Sequence, residues 1–380
     1  MKNFKIAIRS KLFKLRVRQS FVNRFSCLIP YFKSSKAAKR ILFISQASPI
    51  AQTQLFPFFF YDKALSKQPI TLRELPLNRF KSNHHPYHGH VDIIFLQTWF
   101  DYTHDEMDNL VTSIKQKWPQ AKLVYADWFA NTDLRYAEVL DKHIDAYLKK
   151  TILKDFNQYS HPTLGHTMLT DYYNRSFCLE DKEFYFKVPE NFQKKLFVGS
   201  SFVFARYLVP MFLSPFPENE NRRVDIHARM AVSGTPWYQG MRQECFDIVQ
   251  NCAAKSKLVT QDRVSIDVFL HELLDAKICF SPFGYGEVCW RDFEAICTGS
   301  LLFKQDMSHV ISSPDIFIPY ETYVPLAWDL SDFDEKVAYY LTNTAERMRI
   351  AHNAFDRLHN YFIKDEFLQD MRPFLERLGL

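Results

Sequence analysis

The sequence predicts an α/β fold in which two Rossmann-like domains face a cleft. Short apolar runs of strand size alternate with amphipathic stretches of helical periodicity, which is typical of parallel sheets covered by helices. The chain has 380 residues, enough for two domains of ordinary size, and 47% of them are hydrophobic, so that each domain can build a core. A proline-rich polar stretch at 210–222 is the predicted linker between the halves.

Composition argues against several other classes of protein. The seven cysteines are scattered and none forms a C-x-x-C pair, which favours free thiols in a reducing compartment over a disulfide framework. The sequence has no run of 18 apolar residues, so no membrane-spanning helix is predicted. It also lacks the G-x-G-x-x-G pattern expected of a dinucleotide-dependent oxidoreductase.

Residues 1–39 are predicted to form a basic amphipathic arm. The first 40 residues carry 12 Lys or Arg and no Asp or Glu, whereas the remaining 340 hold 36 basic and 43 acidic side chains. Apolar residues recur among these charges at helical spacing, which predicts an interfacial helix over 1–30 on an anionic membrane surface. Such a helix would place the protein in the cytoplasm, peripheral on the inner membrane face. A helix packed on the body is the alternative; a nucleic-acid partner is not expected, because no binding module accompanies the arm.

The first Rossmann-like domain is predicted at 40–209. Its strands are expected at 40–45, 91–97, 123–125 and 144–148. A helix at 105–117 begins near Thr103, a suitable N-cap residue.

Two aspartates are the candidates for a catalytic base in this domain. Asp127 follows the third predicted strand, and Asp133 lies shortly beyond it, where the carboxyl ends of parallel strands bind ligands. Capping of the next helix is an alternative for Asp133. Arg135 and His227 are further candidates.

Two other clusters contain residue types that can bind metals, but neither is predicted to be a metal site. Residues 84–90 read HHPYHGH, and their proline and glycine predict a solvated loop near the cleft. Asp332 and Asp334 precede an apolar helical stretch, so they are expected at its start as capping residues. We therefore expect no metal and no other cofactor.

The second Rossmann-like domain is predicted at 223–364. A strand at 224–228 leads through Ser233 and Gly234 into a helix at 238–254, and this turn could cradle a diphosphate. Arg229 and Arg242 are the candidates that would neutralise it, although a plain βα turn with surface arginines fits equally well. Further strands are predicted at 257–260, 316–318 and 328–330.

The central pattern of this domain lies at 277–304. It reads as strand, glycine loop, helix and strand, at 278–280, 282–286, 288–299 and 301–303. Gly284 and Gly286 would let backbone N–H groups approach a phosphate. Arg291 and Glu294 lie one turn apart on the helix, where they could bind phosphate and sugar hydroxyls or simply form a surface pair.

The stretch GYGEVCWRDFEAICTGSLLF resembles the donor-binding signature of GT-B glycosyltransferases. It is most similar to the group-1-like family that includes spore-coat glycosyltransferases, and more distantly to exostosin-type domains. The residues that match R-x-x-E-A-x-x-x-G are Arg291, Glu294, Ala295 and Gly299.

This resemblance implies a donor site with a role for each matching residue. Glu294 would hold the ribose of a nucleotide-sugar, beside Arg291 and the loop formed by Gly284, Tyr285 and Gly286. Glu287 would contact the donor sugar. Six residues separate it from Glu294 where many retaining members have seven, so retention or inversion stays open.

The resemblance further implies a glycosyltransferase of polysaccharide biosynthesis that moves a hexosyl-type sugar from a nucleotide-sugar to a glycan or lipid-linked acceptor. A catalytically degenerate domain that binds glycan or membrane within a complex is the alternative. By fold analogy, a helix at 365–380 would cross back to the first domain.

The arm predicts salt-sensitive membrane binding. Each Lys or Arg near an anionic surface contributes about 1 kcal/mol, and salt screens this attraction. Full-length protein should co-sediment with anionic vesicles more strongly than with neutral ones, and a truncated protein beginning at Lys39 should not. Equal sedimentation of the two proteins would contradict the prediction.

Overall fold

The computed structural model describes residues 38–82 and 89–380. Over these residues the chain forms two α/β domains, each built on a parallel sheet flanked by helices, so the predicted GT-B fold class is confirmed. The proposed membrane helix and most of the histidine-rich loop lie outside the described residues. Within them, no helix is both long and apolar enough to cross a bilayer.

The first sheet has six parallel strands in the order β2-β1-β3-β4-β5-β9. These strands are β1 (Lys39–Ser45), β2 (Ile70–Pro76), β3 (Ile93–Leu96), β4 (Lys122–Asp127), β5 (Ala146–Lys149) and β9 (Leu196–Val198). Three shorter strands lie outside this sheet: β6 (Thr151–Leu153), β7 (Thr163–Leu164) and β8 (Glu183–Phe184). β7 and β8 pair with each other as an antiparallel hairpin.

The helices of this domain pack on both faces of the sheet or, for the last two, against helices of the second domain. They are α1 (Pro49–Phe60), α2 (Leu77–Lys81), α3 (His104–Lys117), α4 (Ala137–Leu140), α5 (Met168–Ser176) and α6 (Leu208–Phe212), with 3-10 turns at Phe156–Ser160, Phe192–Lys195 and Phe202–Phe204. Thr103 caps α3 in a reciprocal capping box with Glu106. Alternate residues of β1 enter opposite cores, with Phe43 packing against Phe58 and Phe95 on one face.

The second sheet has five parallel strands in the order β11-β10-β12-β13-β15. They are β10 (Val224–Arg229), β11 (Lys257–Thr260), β12 (Ala276–Phe280), β13 (Leu301–Gln305) and β15 (Val324–Leu326). The strands predicted at 316–318 and 328–330 are wrong: both stretches are irregular, and the edge strand lies between them. β14 (Val310–Ser312) instead pairs antiparallel with β6 and so joins the two domains.

The remaining helices include two that return to the first domain. The set is α7 (Pro236–Asn251), α8 (Ile266–Leu274), α9 (Trp290–Cys297), α10 (Phe333–Thr342), α11 (Thr344–Ile363), α12 (Glu366–Asp370) and α13 (Arg372–Leu378). Phe367 of α12 and Phe374 of α13 both contact Phe58 of α1. Lys122 of β4 donates to the Arg377 carbonyl of α13, so polar and aromatic contacts together hold the chain end against the first sheet.

A fully buried ion pair holds the start of α9 against the sheet. The ammonium of Lys304, on β13, donates to Asp292 Oδ1 at 3.0 Å, and both side chains are completely inaccessible. The Ser281 hydroxyl donates to the same oxygen at 2.6 Å, and the Cys289 amide donates to the other at 2.9 Å. The carboxylate therefore connects two strands to the first turn of the helix.

Removal of this carboxylate should destabilise the second domain. Asp292→Ala leaves the Lys304 ammonium buried without a counter-charge, which should lower the free energy of unfolding by about 3–5 kcal/mol in chemical denaturation. Asp267→Ala is the matched control, because Asp267 is exposed in the first turn of α8 and should contribute only about 0.3–1 kcal/mol through the helix dipole. Equal losses in the two variants would show that the buried pair is not a stabilising contact.

Candidate functional site

The glycine loop lies at the carboxyl edge of the second sheet, between β12 and α9. The Gly284 amide donates to the Gly286 carbonyl at 2.9 Å, which closes a tight turn. A Cβ on Gly286 would stand 2.0 Å from the carbonyl oxygen of Ala130, in the first domain. Only glycine fits this contact, so the loop is positioned directly against the opposite domain.

Arg242 lies beside this loop, and Arg291 of α9 is close enough for the two positive charges to repel each other. Arg242 of α7 is 6% exposed, and its Nη2 is 3.8 Å from the position that a Cβ on Gly284 would occupy. Neither Arg242 nor Arg291 forms an ion pair within the described residues, and the Nε of each is buried without a hydrogen-bond partner. Burial, together with repulsion by Arg291, lowers the pKa of Arg242.

Buried donors in proteins are normally paired, so unpaired ones indicate a site for a missing group. Two guanidinium groups beside a glycine loop can bind an anion with several oxygens, such as a phosphate or diphosphate. Of the predicted residues, the structure thus places Arg242 beside Gly284, in the turn that Gly284 and Gly286 close, and within electrostatic range of Arg291.

Arg229 is engaged elsewhere, so its predicted role in neutralising a diphosphate is not supported. Its Nε and Nη2 donate to the two carboxylate oxygens of Glu272 at 2.6 and 2.7 Å, and Nη1 donates to the Asp262 carbonyl. His227 Nε2 lies 3.1 Å from the same glutamate. Burial lowers the pKa of His227 to about 4, so its imidazole is neutral at pH 7.

A pair of stacked tyrosine rings borders the site. It lies where the turn with Ser233 and Gly234 leads into α7. The Tyr285 ring stacks on Tyr238 at 4.4 Å between centroids, and its hydroxyl accepts a hydrogen bond from the Thr235 amide. A Cβ on Gly234 would meet the Tyr238 ring at 2.5 Å, so glycine is required there as well. Tyr285 remains 43% exposed and offers a flat surface to a ligand.

The two glutamates of the motif differ in how far their carboxylates are satisfied. Glu294 is 6% exposed, its Oε1 accepts a hydrogen bond from the Tyr207 hydroxyl at 2.5 Å, and burial raises its pKa. Glu287 is 1% exposed; its Oε1 lies 3.3 Å from His309 Nε2, and its Oε2 has no partner. Of the two, Glu287 is therefore the one with a fully buried carboxylate oxygen that has no partner within the described residues.

Asp127 is buried and bonded to neighbours in its own domain. It is 1% exposed, and its Oδ2 accepts from the Lys149 ammonium at 2.6 Å and from the Tyr147 hydroxyl at 2.7 Å. Its Oδ1 accepts from the Phe129 amide. This carboxylate is inaccessible to an acceptor and is held in an ion pair with Lys149, so the geometry does not support its predicted role as a base.

Asp133 is likewise occupied. Arg135 donates to both of its oxygens at 2.7 Å in a bidentate pair. Burial, the largest single effect, raises the pKa of Asp133, but the hydrogen bonds and charge of Arg135 together with the charge of Lys149 lower it by more, so the net shift is downward. The alternative of a helix cap is also not found, since the next helix, α4, begins after Tyr136. A strongly held carboxylate of this kind is a poor base.

Lys150 was not predicted. It directly follows β5, is 5% exposed, and its ammonium lies 4.5 Å from the centre of the Phe202 ring. No carboxylate or carbonyl pairs with it in the described part of the chain, and burial lowers its pKa to about 7. Charges from both domains act on it, including Asp127 and Glu287, so it lies at the seam between them. The signal in the sequence is a pair of lysines ending an apolar strand, IDAYLKK.

Comparisons with known proteins support the fold. No protein-family model matches the sequence, and no curated protein matches it. A glycosyltransferase from Rickettsia africae is 13% identical, with 90% of this chain aligned to 98% of that one at a TM-score of 0.50. An alpha-glucosyltransferase in complex with UDP is 10% identical over 87% and 98% of the two chains at a TM-score of 0.46, and TarM is 8% identical over 76% and 55% at 0.46. The chain thus shares the GT-B fold of solved glycosyltransferases.

The two adjacent buried lysines should respond oppositely to truncation. Lys150→Met removes an unpaired buried charge, so the variant should be more stable than wild type at pH 7, on the order of 3 kcal/mol. The native pKa lies below the unfolded one, so wild-type stability rises from pH 7 towards 10.5 and the difference shrinks.

Lys149→Met is the matched control. It leaves the buried Asp127 carboxylate without its counter-charge, so it should lower the free energy of unfolding by about 3–5 kcal/mol. Denaturant titrations between pH 6 and 9 measure both effects. Destabilisation by Lys150→Met that does not vary with pH would contradict the assignment of a strained, unpaired amine.

Proposed function

We propose that this protein is a glycosyltransferase that moves a sugar from a nucleotide-sugar donor to a hydroxyl group of an acceptor. The observation that carries the proposal is the guanidinium group of Arg242 beside the glycine loop, with Arg291 within electrostatic range; within the described residues neither forms an ion pair, and the Nε of each is buried without a hydrogen-bond partner. A leaving nucleoside diphosphate gains negative charge as the glycosidic bond to it breaks. Positive groups fixed in advance next to that charge stabilise the transition state more than the ground state.

Each neighbouring residue has a proposed part in holding the donor. Arg242 and Arg291 bind the diphosphate, and the exposed ring of Tyr285 stacks on the nucleobase. The free Oε2 of Glu287 accepts a hydroxyl of the transferred sugar. Glu294 accepts a ribose hydroxyl in exchange for the Tyr207 hydroxyl that it holds now.

The charges of both domains favour this placement of the reacting groups. Lys150 faces the seam from the first domain, where it adds positive charge opposite Glu287. The loop that carries Ala130 touches Gly286, so donor loop and first domain meet without a gap at that point. An acceptor held by the first domain therefore lies next to a donor held by the second.

A catalytically inactive GT-B domain that binds glycan or membrane within a complex is a second proposal. It is favoured by one observation: the carboxylates of Asp127 and Asp133 are both buried in ion pairs, with Lys149 and Arg135, which makes each a poor base for an acceptor hydroxyl. Release of free sugar from UDP-, GDP- or CMP-sugars would exclude it.

The acceptor and the location in the cell belong to the same proposal. The basic arm would hold the enzyme on the cytoplasmic face of an anionic membrane, and a lipid-linked or polysaccharide glycan would be within reach there. Hexosyl transfer in polysaccharide biosynthesis fits this arrangement. Charge stabilisation by arginine makes a bound metal unnecessary to the proposed reaction.

Nucleotide binding tests the donor site. Arg242→Met should weaken the affinity for UDP, GDP or CMP by about 1.5–3 kcal/mol, or roughly 10- to 100-fold, in calorimetric titrations. Arg229→Met is the matched control: it removes an equally placed arginine whose charge Glu272 already neutralises, so nucleotide affinity should stay within about twofold of wild type. Equal effects of the two substitutions, or no binding of any of the three nucleotides to wild type, would overturn the proposal.

A further inference from the structure

A small cavity lies in the first domain, outside the donor site. It measures about 210 Å³ and is enclosed by the loop after β4, the turn after β6 and the β7–β8 hairpin with its continuation. The lining residues used below are Asp133, Gln158, Tyr159, His166, Asp171, Phe184 and Phe186. The volume is below the roughly 300–1,000 Å³ of pockets for drug-sized ligands, so the cavity suits a group of about one ring.

Two polar groups of the lining have no partner. The Oε1 of Gln158 is buried without a hydrogen bond. His166 is half-buried with its ring 4.0 Å from that of Phe184 and 5.9 Å from that of Phe186, and nothing in the described residues hydrogen-bonds its ring nitrogens. Burial lowers the pKa of His166, so one ring nitrogen is free to accept a hydrogen bond at neutral pH.

The charged groups of the lining cancel one another. Asp133 is held in a bidentate pair by Arg135, and Asp171 accepts from Arg175 at 2.9 Å and from the Leu164 amide at 2.7 Å. A cavity without surplus charge does not select an anion or a cation. Aromatic surface combined with a few unsatisfied acceptors selects instead a neutral ligand that has an apolar face and hydroxyl groups.

The cavity lies close to the contact between the first domain and the glycine loop of the donor site. Asp133 belongs to the same loop as Ala130, whose carbonyl abuts Gly286. The Tyr159 hydroxyl donates to the Thr132 carbonyl and accepts from the Leu153 amide, at the end of the strand that pairs with β14 of the second domain. The cavity is therefore built into the part of the first domain that touches the second.

We propose that this cavity is a subsite for one neutral pyranose ring of the acceptor glycan. The C–H face of the ring packs on Phe184 and Phe186, one hydroxyl donates to Gln158 Oε1, and another donates to the His166 ring. This inference rests on the proposed glycosyltransferase function and narrows the acceptor to a glycan that presents an uncharged sugar.

Ligand-observed saturation-transfer NMR on the full-length protein tests the subsite. The probes are methyl glycosides of glucose, galactose, mannose and N-acetylglucosamine, each measured with and without UDP. At least one should receive saturation, and Phe186→Ala and Gln158→Met should each weaken its binding by about tenfold, as expected for loss of one good contact. Phe186 is chosen because it lies outside the β7–β8 hairpin pairs.

Tyr185→Ala is the matched control. Tyr185 lies between the two phenylalanines but is 56% exposed and does not line the cavity, so its removal should leave glycoside binding unchanged. Equal weakening by Tyr185→Ala and Phe186→Ala would overturn the subsite, and so would an absence of glycoside binding in protein that binds UDP. Glycoside binding in protein that binds none of the three nucleotides would overturn the donor proposal, and with it the assignment of the sugar to an acceptor, while still showing that the cavity binds a pyranose ring.

Discussion

The second domain depends on the buried ion pair between Asp292 and Lys304. A carboxylate and an ammonium with no access to water are stable only if each finds its partners inside the protein. Asp292 finds three, on β13, at the end of β12 and at the N-terminal turn of α9. These contacts fix the helix relative to both strands. The loop between them, with Gly284 and Gly286, consequently has little freedom, which is what a preorganised ligand site requires.

The first domain also contains a buried ion pair, but there a second buried lysine lies next to it without a partner among the described residues. Asp127 ends β4 and pairs with Lys149 at the end of β5, again with both side chains buried. The next residue, Lys150, is as deeply buried but unpaired. The two adjacent lysines thus differ in the free energy that their burial costs. Lys149 completes an ion pair, whereas the amine of Lys150 is buried at the domain seam without a counter-charge, in the part of the chain that the structure describes, to offset its loss of hydration. Such a cost is commonly found where a group serves a ligand rather than the fold.

The fold class could be predicted because strands that are buried on both faces need continuous apolar runs, such as ILFIS and IIFL, which are visible in the sequence. Such patterns missed β2, whose segment ITLRELP carries Arg73 and Glu74; Glu74 is 5% exposed and is bonded by Ser45 and Gln52. The hydrogen-bond partners of the site residues could not be predicted either, because they are far away in the sequence. Lys149, Glu272 and Tyr207 lie 22, 43 and 87 residues from the side chains that they bind, and no local pattern reports such pairs.

Arg229 and Arg242 show why pairing, more than residue type, marks the candidate site. Both arginines lie near the carboxyl edge of the second sheet and both were predicted to bind a diphosphate. Glu272 neutralises Arg229, so a phosphate approaching it would meet a carboxylate already in place. Arg242 lies over the Tyr238 ring and beside Gly284, and within the described residues no carboxylate pairs with it. An anion can satisfy Arg242 without displacing any protein group, and the free energy otherwise needed to break an ion pair remains available for binding the ligand.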